Sequence, residues 1–228
     1  MKTRLKWLAL PAIATTLAFA QPAAAAVVTY TWTGYVAEGV DQIGLFGGGN
    51  LTGLDFTAVF SRDDALADDL SLGAVNSYVR GGQAVSAKLT IGGVTIDVGG
   101  VNGEQSQFDN GAFEGFSHHA ASVLGGVSFT ARSLGDPTDY LAGPDYHTLA
   151  GLTADDTPGF YWEGRFDFGA ADPDDPNQGL FTNGRFVPYG VAVGSTGAVP
   201  EPATWAMMIL GFGGVGATLR RGCRAALA

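Results

Sequence analysis

Residues 85–98 read VSAKLTIGGVTIDV, and this stretch indicates the fold class most clearly. Apolar and polar side chains alternate on both sides of the glycine pair, as they do in strands that bury one face. Gly92 and Gly93 can adopt the positive φ angles of a tight two-residue turn. The stretch is therefore predicted to form a β-hairpin.

The same alternation recurs along the chain, and a second Gly-Gly pair at residues 125–126 predicts a further hairpin turn. Residues 186–193 are predicted to be a last strand at a sheet edge, because Pro188 has no N–H to donate. Ser61 and Asp64 resemble a helix cap, which predicts one short helix. The rows predicted to share an apolar face are Tyr30, Trp32, Gly34 and Val36; Leu54, Phe56, Ala58 and Phe60; and Phe160, Trp162, Gly164, Phe166 and Phe168.

Many short strands with glycine turns, and no alternation of strands with helices, predict an all-β, antiparallel domain of the β-sandwich or jelly-roll kind. We expect a signal peptide over residues 1–26, the β-sandwich domain over 27–193, a linker over 194–199 and a sorting segment over 200–222.

The N-terminus is typical of a secretory signal peptide. Three basic residues precede an apolar run over residues 7–19, and small residues follow up to Ala26. Cleavage is expected after Ala20, Ala25 or Ala26, and Ala26 is favoured because the first strand pattern begins immediately after it.

The C-terminal segment resembles a membrane span with a basic flank. Residues 203–219 form a run of 17 residues without a charge, which is marginal for a bilayer that needs about 20. Arg220 and Arg221 follow the run and indicate its cytoplasmic end, while Trp205 suits the opposite interface. The predicted topology places residues 27–202 outside the cytoplasm, tethered by a C-terminal hydrophobic helix.

The tail resembles the PEP-CTERM sorting signal, in the variant with Trp-Ala soon after the Pro-Glu-Pro triplet. The resemblance covers residues 198–222, and it implies a Gram-negative bacterium whose membrane transpeptidase-like exosortase cuts near the triplet. It also implies delivery to the cell surface, or to the exopolysaccharide matrix of a biofilm. The same tail is also called the ice-binding protein C-terminal domain, and that name does not indicate ice binding. The residues that carry the resemblance are Pro200, Glu201, Pro202, Trp205, Arg220 and Arg221.

Charge and cysteine content exclude several functions. Between residues 27 and 202 the chain has 22 acidic and six basic residues, a formal charge of −16, which disfavours nucleic-acid binding. Cys223 is the only cysteine and lies beyond the predicted span, so the domain has neither a disulfide nor a catalytic thiol. Gly211, Gly213 and Gly216 match a dinucleotide-binding pattern, but no acidic residue follows about 20 positions later, so no nucleotide is expected.

One acidic loop is a weak calcium candidate. Its carboxylate and amide oxygens suit Ca²⁺, but Pro176 occupies the fifth position of the EF-hand spacing, and a solvated loop is the favoured interpretation. No other cofactor is expected. The candidate ligands are Asp172, Asp174, Asp175 and Asn177.

The histidines and one serine offer two further sites. His118 and His119 should point to opposite faces of a strand, so a metal site would need His119, His147 and a carboxylate. Ser117 lies in Gly-Phe-Ser-His-His, where His119 replaces the last glycine of the hydrolase elbow.

Carboxylates, threonines and aromatics complete the candidates. Glu163 and Asp167 lie four residues apart on one strand face, about 13 Å from each other, which is too far for a glycosidase pair. The row Thr29, Thr31 and Thr33 resembles one ladder of an ice-binding surface, but a single ladder is ordinary for a strand. Tyr140, Tyr146, Tyr161 and Trp162 could form a sugar-stacking patch, although core packing is the simpler expectation for Trp162.

No complete catalytic motif is present in the sequence. We therefore expect a non-enzymatic, exported protein of the cell surface or exopolysaccharide matrix, sorted by an exosortase. The alternatives are a carbohydrate-binding module, with or without Ca²⁺, and an extracellular hydrolase.

Overall fold

The structure is a computed structural model that describes residues 27–110, 113–133, 140–171 and 178–196. The described residues are almost entirely strands, and each strand runs antiparallel to its neighbours. This confirms the predicted all-β, antiparallel class. The predicted signal peptide, the sorting segment and its apolar span lie outside these ranges. Within the ranges, no helix has the length and apolarity needed to cross a membrane.

The described residues form thirteen strands and two single turns of 3-10 helix, Asp64–Leu66 and Tyr146–Thr148. The strands are β1 (Val27–Asp41), β2 (Gly49–Asn50), β3 (Asp55–Arg62), β4 (Asp69–Leu72), β5 (Asn76–Arg80), β6 (Val85–Ile91), β7 (Val94–Val98), β8 (Asn102–Asp109), β9 (Glu114–Ser122), β10 (Gly125–Ser133), β11 (Leu152–Thr153), β12 (Phe160–Ala171) and β13 (Gly179–Thr196).

A single sheet contains all thirteen strands, in the order β4-β5-β8-β9-β10-β12-β13-β1-β3-β6-β7, with β2 beside β1 and β11 beside β13. A twisted sheet of this size tends to curl on itself. Here β6 lies against β8 and β9 across the core, although it is far from them in the sheet order. One curled sheet thus supplies the two packed layers that were expected of a sandwich.

The first and last described strands pair along the whole of β1. The register runs from Val27 opposite Thr196 to Asp41 opposite Thr182. Residues 194–196 belong to β13, so this strand extends three residues into the predicted linker 194–199. The start of the domain and the residue that ends β13 therefore lie side by side.

The apolar core is built on stacked aromatic rings. The ring of Phe129 lies 4.9 Å from that of Trp32, 5.2 Å from that of Phe56 and 5.1 Å from that of Phe186. These residues come from β10, β1, β3 and β13, so the cluster joins strands from distant parts of the sheet. Burial of such large rings contributes much of the stability of a domain that has no disulfide.

The two predicted hairpins differ in outcome. Gly92 and Gly93 have φ of 58° and 89° and form the turn between β6 and β7, as predicted. In the second hairpin the turn lies at Val123 and Leu124, two residues earlier than predicted, and Gly125 already pairs with β9. A Cβ at Gly125 would collide with the backbone of β12, so this glycine serves strand approach instead of a turn.

Two further predictions are wrong in detail. The segment after Ser61 forms only one 3-10 turn, capped by Asp63. Pro188 lies in β13, which is an interior strand and not an edge. The proline is tolerated because it falls between the last β12 pair, at Phe186, and the first β11 pair, at Gly190, next to a bulge in the β1 ladder.

Candidate functional site

Residues 140–149, here called the strap, connect β10 to β11 and are held by buried polar side chains. The Ser77 hydroxyl donates to the carbonyl of Pro144 and accepts from the N–H of Tyr146 at 2.8 Å. The Gln107 amide donates to the carbonyl of Gly143 at 2.6 Å. The sheet interior therefore supplies the hydrogen bonds that the strap backbone would otherwise make with water.

The start of the strap is fixed by Glu114, which is 4 % exposed. Its Oε2 accepts from the backbone N–H groups of Tyr140 at 3.0 Å and Leu141 at 2.9 Å. A carboxylate that receives two backbone donors is well satisfied without water. Leu141 and Tyr146 then insert their side chains into the core.

Arg62 is the centre of the buried polar cluster and is only 4 % exposed. Its Nε lies 2.9 Å from Asp64 Oδ1, and its guanidinium carbon lies 4.7 Å from the centre of the Tyr146 ring. Burial raises the pKa of the Tyr146 hydroxyl, and the nearby Asp64 carboxylate raises it further. Nη1 of Arg62 donates to Tyr30 Oη at 2.8 Å, Gln105 Oε1 at 3.1 Å and the Tyr146 carbonyl at 3.3 Å.

His147 closes the strap on its exposed side. Its Nε2 lies 2.8 Å from Asp64 Oδ2, and its Nδ1 lies 2.7 Å from Asp145 Oδ1. The backbone N–H of His147 also donates to Asp145, and this bond lowers the pKa of that carboxyl. The arrangement links the strap to the 3-10 turn after β3.

His118 is fully buried beside the strap cluster. Its Nδ1 accepts from Trp32 Nε1 at 3.2 Å, and its ring lies 4.3 Å from the Tyr30 ring and 5.4 Å from the Phe60 ring. Burial and, to a smaller extent, the Arg62 charge together lower the pKa of His118 to about 3. The imidazole is therefore neutral, and because Nδ1 accepts, its proton belongs on Nε2.

Asp41, the last residue of β1, binds backbone N–H groups of a loop, as Glu114 does at the start of the strap. It is 2 % exposed, and it accepts hydrogen bonds from Thr182 and from the backbone N–H groups of Gly44, Leu45, Phe46 and Gly48. Burial raises the pKa of this carboxyl, but the hydrogen bonds outweigh burial and leave it below its usual value. Asp41 thus organises the glycine-rich loop after β1.

The outer face of the sheet carries a groove of about 580 Å³ across β1, β12 and β13, here called the arginine groove. Arg165 and Arg185 lie directly opposite each other on neighbouring strands, and Asp167 lies opposite Asn183 in the next outward-facing row. Glu38 continues the arginine row onto β1. A second cleft of about 580 Å³ lies over β3, β6 and β7, where Lys88 pairs with Asp97 at 2.6 Å.

The structure separates the predicted histidine and serine candidates. His118 faces inward and His119 outward, as predicted, while His147 lies in the strap. Ser117 is on the outer face, where its hydroxyl bonds that of Ser106 at 2.8 Å, so it has none of the geometry of a hydrolase elbow. Within the described ranges, no three His, Cys, Asp or Glu side chains are grouped closely enough to hold a metal ion.

The predicted aromatic patch is not assembled. Tyr146 is fully buried beside Arg62, and Trp162 packs 5.5 Å from Trp32 in the core. Tyr140 packs edge-on against Phe160 at 5.2 Å. Tyr161 alone of the four lies on the outer face of β12, where Arg132 lies 5.6 Å from its ring. Core packing was the expectation for Trp162, and it is confirmed.

The carboxylates of β12 lie on the outer face, as predicted. Glu163 accepts from the Tyr161 hydroxyl and pairs with Arg165 at 3.3 Å. Asp167 lies on the same face, two residues beyond Arg165. Both carboxylates are therefore part of a charged sheet surface.

The threonine ladder of β1 continues across the sheet. Thr90 and Thr95 share a hydrogen bond of 2.7 Å on the outer face. Neighbouring strands rotate by about 20–25° relative to each other, so such a row is not planar. In the next row Lys88 and Asp97 replace the hydroxyls, which interrupts any regular array. The cross-strand row consists of Thr33, Thr57, Thr90 and Thr95.

The remaining predicted residues lie outside the described ranges. These are the sorting residues of the tail and the four calcium candidates, Asp172, Asp174, Asp175 and Asn177.

Sequence reasoning missed Arg62 and Asp41. A signal for Arg62 was available, because the inward-facing row Phe56, Ala58 and Phe60 reaches it at the next step of two residues. Its partners Gln105 and Tyr146 are distant in sequence and could not be paired by pattern. For Asp41 the signal was a single carboxylate placed just before a loop with several glycines.

The fold and the tail together define an exported all-β domain that ends in a sorting segment. Residues 198–222 match the model of the PEP-CTERM protein-sorting motif, which confirms the resemblance of the tail. This motif supports export, sorting at a membrane and exosortase-mediated processing. No curated protein and no solved structure matches the chain.

Proposed function

We propose that this chain is a non-catalytic protein of the cell surface or extracellular matrix, delivered there by exosortase processing of its tail. The main support for the proposal is that the buried polar side chains bind groups of the protein itself. Arg62, Glu114 and Asp41 each bind backbone groups of their own chain. Side chains committed in this way stabilise the fold and are not available to a substrate.

Delivery is tested by replacing Pro200, Glu201 and Pro202 with alanine in the producing cell. We expect the variant to keep its tail and to accumulate in the membrane fraction, as measured by intact-protein mass and cell fractionation. Asp155→Ala, in an exposed loop, is the control and should be processed normally. A triple variant with the same mass and location as the wild-type protein contradicts the proposal.

The absence of catalysis is tested on the exported protein with a broad panel of glycoside, ester and peptide substrates. We expect no turnover. Activity that is lost in Glu163→Ala or in His119→Ala would instead establish an extracellular hydrolase.

Carbohydrate binding is a second candidate function, and the arginine groove favours it. Exopolysaccharide is the partner that such a protein would meet in a matrix. Residues 172–177 hold the calcium candidates, so binding to glycans should be measured with and without a chelator. Equal binding in both conditions excludes the calcium candidates from the ligand site.

A further inference from the structure

The arginine groove contains two arginines in one cross-strand row. Arg165 and Arg185 are direct cross-strand partners on the outer face of β12 and β13. Like charges opposite each other destabilise a strand pair, and an anion bound by both arginines would relieve this repulsion. We propose that the groove binds the carboxylate of a uronic acid unit in an acidic polysaccharide.

The groove arginines are only loosely compensated by the protein itself. Arg165 Nε lies 3.3 Å from Glu163, and Arg185 Nη1 lies 3.5 Å from Glu38. Strong charge-assisted bonds between these groups measure about 2.7–2.9 Å. Elsewhere on the outer face, Arg80 makes a contact of 2.6 Å with Asp69. Each groove guanidinium has five N–H donors, and most of them remain available for a ligand.

Glu38 faces the groove because of an irregularity in β1. The register between β1 and β13 shifts between Val36 and Glu38, and Val36 is buried while Glu38 is exposed. Strict alternation would have turned Glu38 inward with Val36. The bulge therefore directs this carboxylate to the end of the arginine row, as bulges near functional sites commonly do.

The next outward row supplies acceptors that suit sugar hydroxyls. Asp167 and Asn183 are cross-strand partners, two residues along from the arginine pair, which is about 7 Å away. A carboxylate and an amide oxygen accept hydrogen bonds from hydroxyl groups. A uronic acid carries both chemistries on one ring, a carboxylate for the arginines and hydroxyls for the second row.

The surrounding charge selects among anions. Glu38 and Asp167 balance the charge of the arginine pair, so the groove lacks the net positive charge that would favour a dianionic phosphate over a single carboxylate. The domain as a whole has a formal charge of −16, which opposes general attraction of any polyanion. Binding of a polyuronate therefore reports a local site.

The test uses the full chain in detergent and measures its affinity for polygalacturonate by calorimetry. A chelator is present throughout, because a divalent cation could bridge two acidic partners. Neutral dextran, dextran sulfate and polyglutamate are the comparison polymers. Arg165→Gln/Arg185→Gln removes the pair, and Arg80→Gln is a control that removes one arginine charge from the outer face away from the groove.

We expect binding of polygalacturonate by the wild-type chain and a loss of at least about tenfold in the double variant, with Arg80→Gln unchanged. Asn183→Ala should weaken binding by a smaller factor. Equal binding of dextran sulfate or polyglutamate, equal loss in Arg80→Gln, or no binding of polygalacturonate overturns the inference. The inference rests on the proposed location only because that is where the protein would encounter the polysaccharide. Normal tail processing together with no polyuronate binding would therefore contradict this inference and leave the proposed function intact.

Discussion

Arg62 and the groove arginines show two opposite uses of the same side chain. Arg62 is buried, and its Nη1 and Nε contact Tyr30, Gln105, Asp64 and the Tyr146 carbonyl. The groove arginines are exposed, lie opposite each other and make one long contact each with carboxylates of the described chain. We therefore expect Arg62 to have a structural role and the groove arginines to be accessible to a ligand.

The largest expected loss of stability comes from replacing the buried Arg62. Arg62→Ala leaves the Asp64 carboxylate without its buried partner and removes one anchor of the strap, so it should lower the free energy of unfolding by about 3–5 kcal/mol. Denaturant unfolding followed by tryptophan fluorescence measures this change. In the same assay Arg80→Ala, on the exposed surface, should be nearly neutral. Similar effects of the two substitutions would show that Arg62 is not structural.

The stability of the domain is expected to depend on pH through His118, which is buried beside Arg62. Its pKa is about 3 in the folded domain and 6.5 as the ordinary value, so the unfolded chain binds the proton first as pH falls. Stability is therefore complete above pH 6.5 and declines below it, by about 3 kcal/mol on reaching pH 4.

His118→Phe, which suits the aromatic surroundings, should remove this part of the pH dependence even if it shifts the overall stability. Asp41 and Asp145 contribute only near the lower end of this window, because each has an ordinary pKa of 3.8 in the unfolded chain and a lower pKa in the folded domain. An unchanged slope between pH 6.5 and pH 4 in the variant would contradict the buried, neutral state of His118.

A smaller effect is expected at the start of the strap. Glu114→Ala removes the acceptor of two buried N–H groups and should lower stability by about 1–3 kcal/mol. Hydrogen exchange should speed up at Tyr140 and Leu141 before it does in β10. Unchanged protection of these two amides would show that the strap does not depend on Glu114.

Period-two alternation predicted the strand faces well, because each strand has one face toward the core. Phe166 and Phe168 are buried and Arg165 is exposed, as their spacing requires. The turn at Val123 was misplaced, because Gly125 is needed for close approach of β12 and not for the turn itself. The local sequence shows that a glycine is present, but it does not show which neighbouring strand requires the missing side chain.

The functional features depend on contacts between remote strands, which no local pattern reveals. The pairing of Arg165 with Arg185 depends on the register of β12 against β13. The partners of Arg62 depend on the curl of the sheet and on the course of the strap. Pro188 was assigned to an edge because it has no N–H to donate. It is tolerated inside the sheet because it lies between the segments of β13 that pair with β12 and with β11.

The smallest expected change in stability concerns the groove itself. Arg165→Gln/Arg185→Gln removes a like-charge repulsion and two weak ion pairs, so unfolding without ligand should stay the same or shift slightly toward higher denaturant. A clear loss of stability would place these arginines with Arg62 as structural residues.

Unfolding of this double variant with and without polygalacturonate is the most direct test of the central claim. A ligand that binds only the folded domain raises the unfolding midpoint in proportion to its occupancy. We predict that polygalacturonate raises the midpoint of the wild-type chain and leaves that of Arg165→Gln/Arg185→Gln unchanged, while without ligand the variant has the same midpoint as the wild-type chain or a slightly higher one. A variant that is unstable without ligand, or that polygalacturonate still stabilises, would contradict the distinction between the buried, structural Arg62 and the accessible groove arginines.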